Sequence, residues 1–254
     1  MIVRTEAVVL RSIEYGETSR IVTLQTRRGG KVAVLARGAR TVKSRFGSCL
    51  QPMAYIQAVY YHKAGRSLQT LSECSHVRAF HRIARDLEKM TLGLRIVELA
   101  GALLEEEDDP DVFDLLVDVL GSLNDADRGA AHLLPYFQLK LAAALGFDPG
   151  FERGAVAGLP EEGGLFLLDT GEIRSGGSPV ASGMRGSRVA LRALAICSRA
   201  EVRHALNLAL SPNELRELET LVERFFRFHV GAVYPSRSSR VVTQILSDVR
   251  NPAS

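Results

Sequence analysis

Weak alternation of apolar and polar residues, in segments rich in β-branched and aromatic residues and bounded by turn sequences, marks the first 80 residues of this 254-residue chain. Because alternation places every second side chain on the same face of a strand, the pattern predicts five short strands. They are Ala7–Ser12, Ser19–Thr26, Lys31–Arg37, Met53–His62 and Ser67–His76. Arg27–Gly30 separates the second strand from the third and is typical of a hairpin turn. Five antiparallel strands of this length fit a small closed barrel, and we expect a five-stranded OB-fold.

After residue 79 the apolar residues recur at steps of three and four, which predicts helices. The stripe expected to be buried on the first helix comprises Phe80, Ile83, Leu87, Met90, Leu94, Val97, Gly101 and Leu104. Further helices are predicted at Val112–Leu123, preceded by Pro110, and at Leu133–Leu145. Ser211–Glu214 predicts another helix start, because its Ser can cap the helix and its Glu can close a capping box. The stripe expected to be buried on that helix is Leu215, Leu218, Val222 and Phe225.

A glycine-rich insert at residues 147–186 interrupts the helical pattern and holds ten of the chain's 22 glycines. Within it, Leu165–Asp169 and Glu172–Arg174 predict a small hairpin. The predicted fold class is therefore α+β with more than one domain. The barrel is expected at residues 1–79, and an all-α domain containing the insert is expected at residues 80–254.

Cationic side chains are concentrated in the predicted barrel. Residues 1–80 hold 13 Lys and Arg but only 4 Asp and Glu, so their net charge is +9, whereas the remaining residues carry −6. The formal charge of the whole chain, +3, hides this asymmetry. Lys and Arg neutralise phosphates and release their counterions, so the asymmetry indicates a polyanionic partner such as a nucleic acid.

A basic cluster begins at the end of the third predicted strand, continues into the link before the fourth, and comprises Arg37, Arg40, Lys43 and Arg45. OB-folds generally bind with the face of their second and third strands and with their first and fourth loops. The other cations expected to contact nucleic acid are Arg11, Arg20, Arg27, Arg28, Lys31, Lys63 and Arg66. The aromatic candidates for stacking on bases are Phe46, Tyr55, Tyr60 and Tyr61. Because Tyr60 and Tyr61 are adjacent in a strand, they should face opposite sides.

Other classes of function receive little support. The sequence has no glycine-rich phosphate loop, no Gly-x-Ser-x-Gly elbow and no His-Glu-x-x-His motif, so neither an enzyme nor a cofactor is expected. The acidic run at residues 105–111 has tandem carboxylates rather than alternating ligand positions, and it predicts a solvated loop.

The compartment expected from the sequence is the cytoplasm. Cys49, Cys74 and Cys197 are odd in number and widely spaced, which argues against a disulfide framework. The first residues lack the features of a signal peptide. No apolar run approaches the roughly 20 residues that span a bilayer, so no membrane association is expected.

Six segments near the N-terminus carry a specific resemblance. They are Thr5–Ser12, Tyr15–Leu24, Gly30–Lys31, Ala36–Arg40, Lys43–Gly47 and Leu50–Pro52. In residues and order they resemble the RecO family of DNA repair proteins. Looser similarity continues through the helix after His76, Leu145–Pro149, His229–Gly231 and Ser236–Arg237. The resemblance therefore extends over nearly the full length.

This resemblance implies an OB-fold followed by an all-helical domain with a small zinc-finger-like insert. It also implies a mediator of recombinational repair that binds single- and double-stranded DNA and anneals complementary strands. The partners it implies are RecR and the C-terminal tail of single-strand-binding protein (SSB), and the location it implies is the nucleoid. His204–Arg224 offers basic and apolar residues suited to such a tail.

The family's insert often carries four cysteines that bind zinc. The matching positions here are Gly154, Ala157, Ser175 and Ser178. Glycine and alanine cannot bind zinc, and serine binds it poorly, so we expect the scaffold without the metal.

Two alternative functions remain open from the residues themselves. The chain could be an adapter that bridges repair proteins and binds DNA weakly, and oligonucleotide binding by residues 1–80 would test this. It could also be an RNA-binding OB-fold protein. A preference for RNA over DNA of the same sequence would indicate recognition of the 2′-hydroxyl group.

Overall fold

The computed structural model describes residues 1–105, 109–152, 154–176 and 181–235. They form two units, one comprising residues 1–125 with Pro235 and the other residues 126–234. No helix in these ranges is long and apolar enough to cross a lipid bilayer.

A closed five-stranded barrel forms the N-terminal part of the first unit, and it confirms the OB-like barrel expected from the sequence. Its strands are β1 (Ile2–Tyr15), β2 (Ser19–Thr26), β3 (Lys31–Ala36), β4 (Tyr55–Tyr61) and β5 (Leu68–Arg78). The strand order is β1-β2-β3-β5-β4, and β4 pairs with β1 to close the barrel.

The prediction that all strands are antiparallel was wrong for one pair. β3 and β5 run parallel, with Ala33 opposite Leu68. The reason is that strand directions cannot alternate all the way round a closed barrel of five strands, so one neighbouring pair must be parallel. β4 and β5 then form an antiparallel pair whose second strand lies beside β3 in the same direction.

β1 is longer than predicted at both ends, because it pairs with two neighbours. Residues 2–8 pair with β4 and residues 7–15 pair with β2, with a bulge between Val9 and Arg11. Alternate side chains of every strand fill the interior. The buried strand residues of this core are Ala7, Val9, Val22, Leu24, Val34, Ala36, Ile56, Ala58, Tyr60 and Leu71.

The first unit also contains two α-helices, α1 (Leu87–Leu103) and α2 (Pro110–Asp125). The prediction of one regular stripe from Phe80 was wrong, since α1 begins only after Asp86, whose carboxylate accepts a hydrogen bond from the Lys89 amide. Leu87 and Leu94 of that stripe are exposed. Because α1 contacts both β1 and α2, its buried surface is wider than one stripe. The prediction that Pro110 opens α2 is confirmed.

A polar network joins the barrel to α2. Both the Tyr55 hydroxyl and the Arg27 Nε donate hydrogen bonds to Glu6 Oε2, at 2.6 and 3.0 Å. The Arg27 guanidinium also pairs with Asp114 at 2.8 Å and lies over the Phe113 ring, 4.8 Å from its centroid. The hydrogen bond from Tyr55, with help from Arg27, lowers the pKa of the Glu6 carboxyl below its ordinary value of 4.5.

The second unit combines helices with a small sheet. Its elements are α3 (Leu133–Ala144), β6 (Gly164–Leu167), β7 (Ile173–Arg174), β8 (Gly183–Gly186), α4 (Arg188–Arg199), α5 (Val202–Leu206) and α6 (Pro212–Val230). The predicted hairpin is confirmed by the antiparallel β6 and β7. β8 was not predicted, because its sequence Gly-Met-Arg-Gly has neither β-branched residues nor alternation.

The start of α6 is as predicted from the sequence. The Ser211 hydroxyl accepts a hydrogen bond from the Glu214 amide, and the Glu214 carboxylate accepts one from the Ser211 amide. The predicted stripe Leu215, Leu218, Val222 and Phe225 is buried. α3, α4 and α6 pack against one another around it.

Replacing Glu6 by Gln should lower the free energy of unfolding by about 1.5–3 kcal/mol at neutral pH, the range for hydrogen bonds to charged groups. Because the pKa of Glu6 is lower in the folded state, its stabilisation is present above the unfolded value and is lost as the pH falls through the folded value. The free energies of unfolding of the wild type and of Glu6→Gln, measured with urea between pH 7 and pH 3, should therefore become equal at the lowest pH. Glu17→Gln, at an exposed carboxyl in the first turn, should match the wild type throughout. A difference in the free energy of unfolding that stays the same from pH 7 to pH 3 would contradict stabilisation by the ionised Glu6 carboxylate.

Replacing Gly129 by Ala should destabilise the second unit strongly. Gly129 has a φ of +69°, and a Cβ there would collide with the Leu206 carbonyl oxygen. Gly146, with a φ of +84° and no atom within 4 Å of such a Cβ, provides the matched control. Calorimetry should show that Gly129→Ala costs about 1–3 kcal/mol more than Gly146→Ala, which carries only the backbone strain. Equal decreases in the free energy of unfolding for Gly129→Ala and Gly146→Ala would show that the structure relieves the collision without a free-energy cost.

Candidate nucleic-acid interface

An apolar row lies across the outer surface of the barrel, and we call it the outer band. Its members are Ile2, Ile13, Ile21, Leu35, Tyr61 and Thr70. Each is opposite the next in the strand pairing, which runs Ile13–Ile21–Leu35–Thr70–Tyr61–Ile2. Their chain neighbours Val22, Val34 and Tyr60 belong to the core, so alternation directs the row outwards.

The outer band is accessible. Ile13 is 40% exposed, Tyr61 53% and Ile2 64%, whereas Ile21 and Leu35 are half-buried. Three exposed apolar side chains in one row indicate a surface that binds something. Opposite residues in neighbouring strands have Cβ atoms about 5 Å apart, so a planar group such as a base could contact more than one of them.

Cations flank the outer band. Arg11 precedes Ile13 by two residues, and Arg37 follows Leu35 by two residues, just beyond the end of β3. Lys63 and Arg66 lie in the turn that follows Tyr61. All four are exposed, and none of their side chains forms an ion pair with another residue in the described ranges. The structure thus brings together four of the eleven predicted cations.

Four other predicted cations have structural partners instead. Lys31 Nζ donates hydrogen bonds to the Gly101 and Leu104 carbonyls at the end of α1. Arg20 donates to the Ser12 hydroxyl at 3.2 Å. The third is Arg27, in the network with Glu6.

Arg40 is the fourth, and it stabilises the turn between β1 and β2. Its guanidinium donates to the carbonyls of Gly16 and Glu17, at 3.0 and 3.1 Å, and pairs with Glu14 at 2.9 Å. The sequence could not show that Arg40, unlike the other cations of its cluster, has structural partners, because these partners come from a different part of the chain.

The last three predicted cations lie in connections between strands. Arg28 is exposed in the turn between β2 and β3. Lys43 and Arg45 are exposed in the segment that connects β3 to β4, and the Arg45 guanidinium lies 5.1 Å from the centre of the Phe46 ring.

Most of the predicted stacking residues are buried, so that part of the prediction was wrong. Phe46 and Tyr60 belong to the barrel core, and Tyr55 is held by the network with Glu6. Tyr61 is exposed and faces away from Tyr60, as expected from alternation. The sequence reasoning missed Tyr15, which is 53% exposed near the end of the band. It was missed because β1 was predicted to end at Ser12.

A second basic surface lies in the second unit. A groove of about 440 Å³ runs along α4 and is lined by Phe151, Val156, Ala157, Arg192, Ala195, Ile196, Arg199 and Ala200. The Arg199 guanidinium lies 4.6 Å from the centre of the Phe151 ring and donates to the Phe151 carbonyl. Arg192 is exposed. The groove combines apolar walls with cations, and it lies outside the region 204–224 that the sequence suggested.

The positions matching the family's zinc ligands are only partly described. Gly154 and Ala157 share one turn, in which the Ala157 amide donates to the Gly154 carbonyl at 3.0 Å. Ser175 follows β7, whereas Ser178 and the family-like pair Ser236–Arg237 lie outside the described residues. No group of three or more His, Cys, Asp or Glu residues suited to a metal occurs in the described ranges. The zinc-finger-like character of the insert stays a prediction.

Comparison with known proteins gives consistent matches along the chain. Residues 1–80 match the family described as "Recombination protein O N terminal", and residues 84–238 match "Recombination protein O C terminal". The DNA repair protein RecO of Salinibacter ruber is 52% identical over 246 residues, covering 96% of this chain and 94% of its own length. The RecO proteins of Chlorobaculum parvum and Rubrobacter xylanophilus are 32% and 31% identical, over 97% and 93% of this chain and 100% and 94% of their own lengths. Together, the OB-like barrel, the helical region and these similarities show that the chain belongs to the RecO family of DNA repair proteins.

Proposed function

We propose that the protein is a DNA-binding mediator of recombinational repair whose barrel binds single-stranded DNA along the outer band. The observation that carries the proposal is the outward-facing row between Ile13 and Ile2, which is exposed at Ile13, Tyr61 and Ile2 and is flanked by cations that form no ion pair within the described ranges. Apolar and aromatic side chains offer surfaces for bases, whereas cations neutralise phosphates. A single strand presents both groups at once.

The chemistry of such a site requires no bond to be made or broken. Arg11, Arg37, Lys63 and Arg66 would bind phosphates, and Tyr61 and Tyr15 would stack on bases. Since every base has a flat face, binding should tolerate any sequence. A duplex hides its bases, so it would be bound through phosphate contacts alone.

We infer strand annealing from the exposed cations that the outer band leaves to a second strand. Two complementary strands repel each other through their phosphates. Arg28, Lys43 and Arg45 lie in connections between strands and are exposed, so they offer phosphate contacts to a second strand. A protein that neutralises both strands lowers the barrier to their pairing.

The partners implied by the family are RecR and the SSB tail, and the groove along α4 is the site we propose for the tail. An acidic peptide with apolar residues matches the lining in both charge and hydrophobicity. Arg192 and Arg199 would pair with its carboxylates, while Phe151 and Ile196 would contact its apolar side chains.

Replacing both Tyr15 and Tyr61 by Ala should weaken binding of a single-stranded oligonucleotide roughly tenfold or more, because each stacked base contributes about 1–3 kcal/mol. Affinity for a duplex of the same length should change much less.

Replacing Arg11 and Arg37 by Gln should instead flatten the dependence of log K on log salt, by about 0.7 for each phosphate that is no longer neutralised. Fluorescence anisotropy at several salt concentrations measures both effects.

Arg85→Gln is the matched control, since Arg85 is an exposed cation of the first unit outside the barrel. It should leave affinity and salt slope unchanged. Unchanged binding in the band variants would overturn the proposed interface. Failure of the wild type to bind DNA would favour the adapter, and a preference for RNA would favour an RNA-binding protein.

Replacing Arg192 by Glu should weaken binding of a fluorescent acidic peptide with an apolar C-terminus at least tenfold, because a repulsive charge replaces an attractive one. Arg224→Glu is the control, since Arg224 is exposed on α6 within the region first expected to hold the tail. Loss of binding in Arg224→Glu alone would move the site to that region. No binding by the wild type would remove the tail as a ligand.

A further inference from the structure

Two thiols meet at the wall of the barrel. Cys49 lies in the 3₁₀ turn Gly47–Leu50, which ends the segment connecting β3 to β4. Cys74 lies in β5, opposite Ala58 of β4. Cys49 belongs to the barrel core, Cys74 packs against the same core, and the two thiols are neighbours. The two residues are about 25 positions apart in sequence, so only the fold brings them together.

The surrounding structure fixes the two thiols in this position. The Ser48 hydroxyl and the His76 Nε2 are 2.9 Å apart, and their hydrogen bond joins the same turn to the same strand. The Cys49 amide donates to the Phe46 carbonyl at 3.1 Å, and Phe46 is itself buried in the core. The turn that carries Cys49 is therefore fixed beside the strand that carries Cys74.

We propose that Cys49 and Cys74 are a redox-active pair that forms a reversible disulfide with a low-molecular-weight disulfide as oxidant. Each thiol loses its proton, the two sulfur atoms form one bond, and two electrons reduce the external disulfide to two thiols. The reaction passes through a mixed disulfide, which the second cysteine resolves.

The environment of the pair sets the speed of this reaction. Burial and the neighbouring Cys49 thiol raise the pKa of Cys74 to about 12, and the charge of Arg45 acts in the opposite direction. Because the thiolate is the attacking species, oxidation should be slow at neutral pH and faster at higher pH. The bond would fix the turn that follows Lys43 and Arg45 against β5.

Cys197 provides an internal control. It is fully buried between helices of the second unit, and burial raises its pKa to about 12 as well. Among the described cysteines it has no thiol neighbour. A buried thiol without a partner should be inert, whereas the pair should react.

The test incubates the full-length protein with oxidised glutathione at pH 7 and pH 9, blocks free thiols with N-ethylmaleimide and maps the peptides by mass spectrometry. We expect a cross-linked Cys49–Cys74 peptide that dithiothreitol removes and that forms faster at pH 9. Cys197→Ser should give the same cross-link, whereas Cys74→Ser should give none. Recovery of both cysteines as free thiols, or as separate glutathione adducts, would overturn the proposal.

Thermal unfolding gives a second measurement. Oxidation should raise the midpoint of the wild type by several degrees, because the cross-link restricts the unfolded chain. Cys74→Ala should show no such change, and it replaces Cys74→Ser if the hydroxyl prevents folding. No shift in a wild type that carries the cross-link would exclude a stabilising role. Neither measurement uses nucleic acid, so both results are independent of the proposed DNA interface.

Discussion

The first strand carries the constraint on which the barrel and its surface depend. β1 pairs with β4 through its first half and with β2 through its second half, so a single strand closes the sheet. A strand can serve two neighbours in this way only if it bends, and the bulge between Val9 and Arg11 provides the bend. The double pairing also aligns Ile2 and Ile13, eleven residues apart in one strand, as the two ends of the outer band.

The contacts of the barrel's cations separate those that stabilise the fold from those that are exposed to a ligand. Arg27, Lys31 and Arg40 satisfy carboxylates and carbonyl oxygens that belong to the fold. Arg11 and Arg37 have no such partners in the described ranges and extend from the surface beside the outer band. A cation held by internal partners would have to lose them before binding a phosphate. More cations therefore contribute to the positive charge of the barrel than are available to bind a ligand.

Much of the fold follows from local pattern. Alternation in the first 80 residues predicts all five strands, and Ser19–Thr26 has the bounds observed for β2. The capping box at Ser211 depends only on residues three apart, so the start of α6 is as predicted. The prediction of buried residues was wrong where tertiary packing, rather than the spacing of apolar residues, determines which face of a helix is buried. α1 contacts both the barrel and α2, so the face it buries does not follow the most regular apolar spacing.

The sequence alone determined that the chain has an OB-like barrel with a concentrated positive charge, because strand alternation and net charge are local properties. Tertiary structure decided which cations and aromatic rings are available. Tyr60 and Tyr61 have the same chemistry, yet one fills the core and the other lies on the outer band, since adjacent strand residues face opposite sides. Tertiary structure also decided that Cys49 and Cys74 are neighbours, because β5 lies beside the segment that connects β3 to β4.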